Sequence, residues 1–145
     1  NVIAPVLTEG DNLLRQTIFE ALSMFVGRRS GASLHIGYDG SLVPSPDFGN
    51  VAMVDGAAIL NDDRELHVYA VNRSVDESVE LQIDLSGAHL EMRSAEMLHH
   101  SDPTTQNTWA DPSAVKRVPW EMSNGPRPTV KLAPHSFLAA TMSVS

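Results

Sequence analysis

Apolar residues crowd the stretch from Leu13 to Val26, and Leu14, Ile18, Leu22 and Phe25 recur there at intervals of three and four. That spacing predicts a helix within Asp11–Phe25. Asp11 or Asn12 stands where an N-cap is wanted, and Gly27, Arg28, Arg29, Ser30 and Gly31 supply a stop with basic side chains near the C-terminal end of the helix dipole. Leu13, Phe19, Ala21, Met24 and Val26 widen the apolar arc beyond one stripe, so this helix is expected to be covered on more than one side. Ahead of it, Val2–Leu7 is apolar and β-branched but interrupted by Pro5, which predicts a short buried strand or an extended linker.

After Ser30 the period changes from helical to two. Short strands are predicted at 33–38, at 51–60 with Gly56 at a bulge, and at 66–71, the last buried on both faces because its apolar positions are nearly continuous. Val79, Leu81, Ile83 and Leu85 alternate with Glu80, Gln82 and Asp84, the pattern of a half-exposed strand. Further strands are expected around 90–98, 129–132 and 136–144. Asn61-Asp62-Asp63 reads as a hairpin turn, 39–50 as a Gly- and Pro-containing loop, and 99–125 as a long polar connection carrying Trp109 and Trp120. Seven or eight strands in this rhythm predict a mainly β fold, an antiparallel sandwich or jelly roll.

Composition narrows the chemistry. With 145 residues and 42% apolar content the chain is large enough for one domain with a real core. A net charge of −8 with no basic cluster beyond Arg28-Arg29 argues against a nucleic-acid partner. No apolar run approaches the roughly 18 residues that span a membrane. The absence of cysteine removes disulfides, thiolate metal sites and Cys nucleophiles. The chain opens inside an apolar segment with neither an initiator Met nor a signal-peptide pattern, as though it continues a longer polypeptide.

Three kinds of site are suggested by residue type. Hydrolysis of a glycosidic bond needs two facing carboxylates, and Glu9, Asp11, Glu20, Asp39, Asp47, Asp55, Glu91 and Glu96 are available, none at a recognisable pairing. His99-His100 with Asp102 has metal-ligand chemistry, but neighbouring strand residues point to opposite faces, so a polar strand end is the better reading and no metal or cofactor is expected. Asn72-Arg73-Ser74 matches a glycosylation acceptor, and Trp109 and Trp120 suit either stacking on a sugar or pinning the long loop. There is no nucleophile elbow and no phosphate-binding glycine loop.

Five stretches, in order, resemble the C-terminal part of the α-L-arabinofuranosidases of glycoside hydrolase family 51. "NVIAPVLTE" is similar to the segment forming the last barrel strand, and "LLRQTIFEALSMF" to the eighth barrel helix with its Arg-Gln-Thr start. "ELHVYAVNRSVDESVELQIDL" is similar to a sandwich hairpin, "DPTTQNTWADPSAVKRVP" to a long loop with Asn-Thr-Phe, and "LAPHSFLAATM" to the closing strand. The resemblance implies that residues 1–31 end a (β/α)8 barrel and that 32–145 form a C-terminal β-sandwich. It implies a retaining enzyme that releases terminal non-reducing α-L-arabinofuranosyl groups, is cytoplasmic and homo-oligomeric, and has both catalytic glutamates upstream of this chain.

One site residue carries over from the family. The Gln of Arg-Gln-Thr contacts the arabinofuranose there and falls on Gln16, at the C-terminal face of the barrel where such enzymes build their sites. The competing reading of Gln16 is a helix-start side chain that satisfies backbone groups. Leu14 and Glu20-Ala21 depart from the family, which often has Trp and Tyr-Pro there. Two other readings of the chain stand beside the enzyme: a freestanding carbohydrate-binding sandwich, and a sandwich used for subunit contacts.

Overall fold

The computed structural model describes residues 4–28 and 30–145; Val2, Ile3 and Arg29, which the sequence places in the first strand and at the helix end, lie outside that range. The chain first makes a hairpin of β1 (Val6–Glu9) and β2 (Asn12–Arg15), paired antiparallel from Val6↔Arg15 to Glu9↔Asn12. Gly10 takes φ +57° as the first residue of the two-residue turn, a conformation that costs an L side chain energy and glycine little.

This hairpin corrects the expected helix. The ladder claims Asn12–Arg15, so α1 runs only from Thr17 to Met24, and its N-cap is Gln16 rather than Asp11 or Asn12. Leu14 is buried as expected, but as a strand residue. The helix closes with Phe25 and Val26 donating to the carbonyls of Leu22 and Ser23, and the Arg28 guanidinium donates to the Met24 carbonyl at 3.2 Å. These bonds satisfy carbonyls that the last turn leaves open.

The remaining strands are β3 (Ala32–Leu34), β4 (Leu42–Ser45), β5 (Gly49–Ala52), β6 (Val54–Leu60), β7 (Glu65–Asn72), β8 (Val79–Gln82), β9 (Leu90–Leu98), β10 (Arg117–Pro119), β11 (Thr129–Leu132) and β12 (Phe137–Val144). Six of them form one antiparallel sheet in the order β10-β9-β12-β7-β6-β3. The pair β8–β11 lies across its inner face, and β4–β5 is a separate hairpin. The fold is thus mainly β and antiparallel, an uneven sandwich with more strands than the pattern suggested. The loop expected at 39–50 contains β4 and the start of β5, and the long polar stretch contains β10, because short strands with Pro44 and Pro119 carry too little alternation to register.

Gly56 marks no bulge. It pairs in register with Ala70, and a Cβ there would lie 2.5 Å from the Tyr69 carbonyl oxygen, so close backbone approach is what requires glycine. The register shift instead falls where β12 meets β9, between Thr141↔Ser94 and Met142↔Met92, leaving Arg93 over.

Alternation along the central strands makes two faces. Leu66, Val68 and Ala70 of β7, Ala95 and Met97 of β9, and Leu138, Ala140 and Met142 of β12 face the inner core, closed by Leu132, Val130, Leu81 and Ile83. Tyr69 and Ala139 face outward, where Met24 of the helix seals a second cluster with Ile59, Leu98 and Phe137. This is why β7 is apolar on both sides: one face meets the sandwich and the other receives a helix.

Candidate functional site

The helix start is where chain organisation and candidate chemistry meet. Gln16 has extended backbone (φ −69°, ψ 163°); its N–H donates to the Pro5 carbonyl at 2.9 Å and its carbonyl accepts from Phe19 at 2.8 Å. Its side-chain Nε2 donates to the Ala4 carbonyl at 2.6 Å, and it makes no capping bond to its own helix. Among the described residues no donor reaches Oε1. Gln16 is therefore half-buried and tethered at one end of its amide, with the carbonyl end available for a hydroxyl.

The long loop clamps this point from outside. Asn107 is buried, and its backbone N–H donates to Thr17 Oγ1 at 3.0 Å while its Nδ2 donates to the Arg15 carbonyl at 3.2 Å. Its Oδ1 accepts from the Val115 N–H at 2.8 Å, which closes the loop on itself. The two residues flanking Gln16 are thus held by one asparagine some ninety positions away. The sequence reading passed over Asn107 and Thr17, although both lie within the stretches that carry the family resemblance. The signal was a buried amide in a polar loop, which composition does not reveal.

The helix is fixed to the sheet by aromatic and charged groups. The Phe25 ring centroid lies 4.4 Å from that of Tyr69 and 5.4 Å from that of Phe137. Tyr69 Oη donates to the Arg28 carbonyl at 3.0 Å, and burial pushes the phenol above its ordinary pKa. Arg28 pairs with Glu96 at 3.0 Å, and Arg117 approaches Glu96 at 3.8 Å and Glu20 at 3.9 Å. Glu20 and Glu96 are accordingly held by arginines. Yet Ile18 and Leu22 of the helix lie on the surface, as do Val26 just after it, 70% exposed, and Leu13 of β2, 60% exposed, so much of the apolar surface around the helix is uncovered.

A cavity of about 430 Å³ opens beside Thr17, lined among others by His99, His100, Asp102, Val115 and His135. The histidines follow the end of β9 at Leu98, the polar strand end read from the sequence. The Asp102 N–H donates to His100 Nδ1 at 3.1 Å, while Asp102 Oδ1 accepts from the Thr104 hydroxyl at 2.7 Å and its N–H at 2.9 Å, which holds the carboxyl below its usual pKa. Burial lowers the His99 pKa and the adjacent His135 adds to this, against the opposing Pro134 backbone; among the described residues His99 Nδ1 finds no partner. No group of three or more acidic or His side chains among the described residues is placed to hold a metal ion.

Two other sequence candidates become structural. Asn72 is fully buried, donates to the carbonyls of Glu77 and Ala133 at 2.8 and 2.9 Å, and accepts from the Ser74 N–H, so it is no glycosylation acceptor. Trp120 packs on the core and donates to the Lys131 carbonyl at 2.9 Å, pinning the loop, whereas Trp109 is 44% exposed. No helix among the described residues is long and apolar enough to cross a membrane.

A family model described as the α-L-arabinofuranosidase C-terminal domain matches residues 1–136. An intracellular exo-α-(1→5)-L-arabinofuranosidase from Streptomyces lividans is 33% identical over 79% of the chain, which covers 18% of that protein. An exo-α-(1→6)-L-arabinofuranosidase from Bifidobacterium longum is 30% identical over 79% of the chain and 23% of its own length. Among solved structures, a family 51 α-L-arabinofuranosidase from Bifidobacterium longum superposes on 97% of the chain and 29% of its own with a TM-score of 0.89 and 28% identity. The chain spans about a fifth of the length of these curated relatives. By its sequence and its fold, the chain belongs to the α-L-arabinofuranosidase C-terminal domain family.

Proposed function

We propose that this chain is the C-terminal portion of a retaining glycoside hydrolase that releases terminal non-reducing α-L-arabinofuranosyl residues from arabinose-containing oligosaccharides or polysaccharides. The family match across residues 1–136 carries the reading. In it, residues 1–31 complete a catalytic barrel whose remainder lies upstream, and the sandwich of 32–145 follows. The uncovered apolar side chains Leu13 of β2, Ile18 and Leu22 of α1 and Val26 just after it support this, since apolar surface of that extent suits burial against further structure.

The division of labour follows from the chemistry. Retaining hydrolysis requires an acid/base and a nucleophilic carboxylate roughly 5 Å apart across the bond. The carboxylates that converge here, Glu20 and Glu96, are engaged by Arg117 and Arg28, so the glutamates of the reaction are assigned upstream. Gln16 is the residue of this chain that touches sugar: its amide is tethered through Nε2, and Oε1 accepts from an arabinofuranosyl hydroxyl. The protein is cytoplasmic in this reading, as two relatives are named intracellular enzymes, and assembles as a homo-oligomer. The relatives' names give (1→5) and (1→6) linkages, so linkage preference varies among proteins sharing this domain.

Hydrolysis of an aryl α-L-arabinofuranoside by the intact protein, set beside the 145-residue chain alone, tests this. Cleavage by the intact protein only is expected. Comparable cleavage by the chain alone would show that its own carboxylates do the chemistry. A non-catalytic carbohydrate-binding role has one specific observation behind it, the exposure of Trp109. Saturable binding of arabinan oligosaccharides to the isolated chain, lost on Trp109→Ala, would favour that role.

A further inference from the structure

The position of Gln16 is set by its neighbours in the chain and by a loop far away in sequence, and this inference rests on the sugar-binding role proposed for it. Gln16 sits between the end of the β1–β2 hairpin and a helix of eight residues, with no capping bond of its own. Two residues on either side of it are fastened from the loop that follows β9: the Arg15 carbonyl by Asn107 Nδ2, and the Thr17 hydroxyl by the Asn107 backbone N–H. Asn107 also accepts from Val115, itself buried, so the loop that supplies the clamp is closed around the same side chain.

We propose that Asn107 is a positioning residue for Gln16, through which the β-sandwich fixes the sugar-contacting amide. An asparagine is the side chain the geometry asks for. Its amide donates to one carbonyl while its carbonyl accepts from one N–H, and aspartate reproduces only the second of these bonds. Its burial makes both bonds costly to break, because the groups left behind have no water to turn to. The sandwich thereby acts on substrate without touching it. A displacement of Gln16 by even about an ångström is enough to weaken a hydrogen bond formed in the transition state.

The test is a kinetic cycle in the intact enzyme. Asn107→Asp keeps the acceptor for Val115 and removes the donor to the Arg15 carbonyl; Thr17→Val cuts the clamp from the helix side without altering the loop. Each is combined with Gln16→Ala, and kcat and KM are measured on an aryl α-L-arabinofuranoside. Each clamp variant is expected to lower kcat/KM about tenfold, the loss of roughly one hydrogen bond, with Gln16 present. In the Gln16→Ala background the same substitutions should change it by less than about twofold, because Asn107 acts through Gln16. Equal losses in both backgrounds, or no loss with Gln16 present, would overturn the proposal. If Asn107→Asp does not fold, Thr17→Val decides the matter. A wild-type enzyme without arabinofuranosidase activity would instead overturn the reading on which this rests.

Discussion

The two faces of the six-stranded sheet are built from the same strands and finished differently. The inner face is closed: Leu66, Met97, Leu138 and Met142 are covered by β8, β11 and Trp120. The outer face is closed by Met24 over Tyr69 and Ala139 and is buried again at His67 and Thr141, and the helix that covers part of it turns much of its own apolar surface outward. The inner face therefore carries the chain's stability, and the outer face leaves apolar surface of the helix exposed. Polar fastening follows the same division. Outside the core, Arg28, Glu96, Arg117 and the buried Asn107 hold the helix in place, the partly exposed Arg117 contacts setting geometry more than they add stability.

The largest expected effect lies on the inner face. Leu138→Ala opens a cavity in a fully buried position and should cost about 2–5 kcal/mol of unfolding free energy in urea titration. A loss below about 1 kcal/mol would mean that the inner face is not the closed one.

The next effect concerns His67, which lies on the outward side of β7 beside Thr141 Oγ1 at 3.1 Å. Burial lowers its pKa from 6.5, Glu65 opposes this, and Arg28 reinforces it. The folded state thus binds a proton less readily than the unfolded chain. Stability from the neutral ring is complete above the ordinary value and is lost as pH falls through the lowered one. The thermal midpoint of the wild type should fall more steeply than that of His67→Gln between about pH 7 and pH 5. Parallel curves would remove His67 from the outer face's pH response. His99, lowered by burial in the same direction, remains in both proteins as a shared background.

The smallest effect is expected at the uncovered side of the helix. Leu22→Ala in the 145-residue chain should change stability by about 0.5 kcal/mol or less, since the side chain is half-exposed. If the proposed barrel covers this face, the same substitution in the intact protein should cost several times more. Equal small costs in both would mean that nothing covers this face.

Some of this division was legible in the sequence. The near-continuous apolar run of β7 announced a strand buried twice, and the alternation from Val79 to Leu85 announced one half-exposed. The breadth of the apolar arc predicts cover on more than one side, whereas Ile18 and Leu22 are exposed in this chain. The start of that helix was not legible. Leu14 fits helical spacing from Ile18, yet Gly10 turns the chain so that Leu14 enters a hairpin, and local turn geometry overrides the period. Short strands such as β4, β5 and β10 offer three or four residues each, too few for a period to show. At the candidate site, Gln16 came from the resemblance, whereas Asn107 became visible only when long-range contacts placed it beside Arg15 and Thr17.

In the proposed reading this helix start is part of an arabinofuranose site. Its most direct test is kcat/KM of the intact enzyme and its Gln16→Ala variant on an aryl α-L-arabinofuranoside, with unfolding midpoints measured alongside. A loss of roughly ten- to hundredfold at an unchanged midpoint is expected, as for removal of a hydrogen bond formed to the sugar in the transition state. Unchanged kinetics in a folded variant would contradict it.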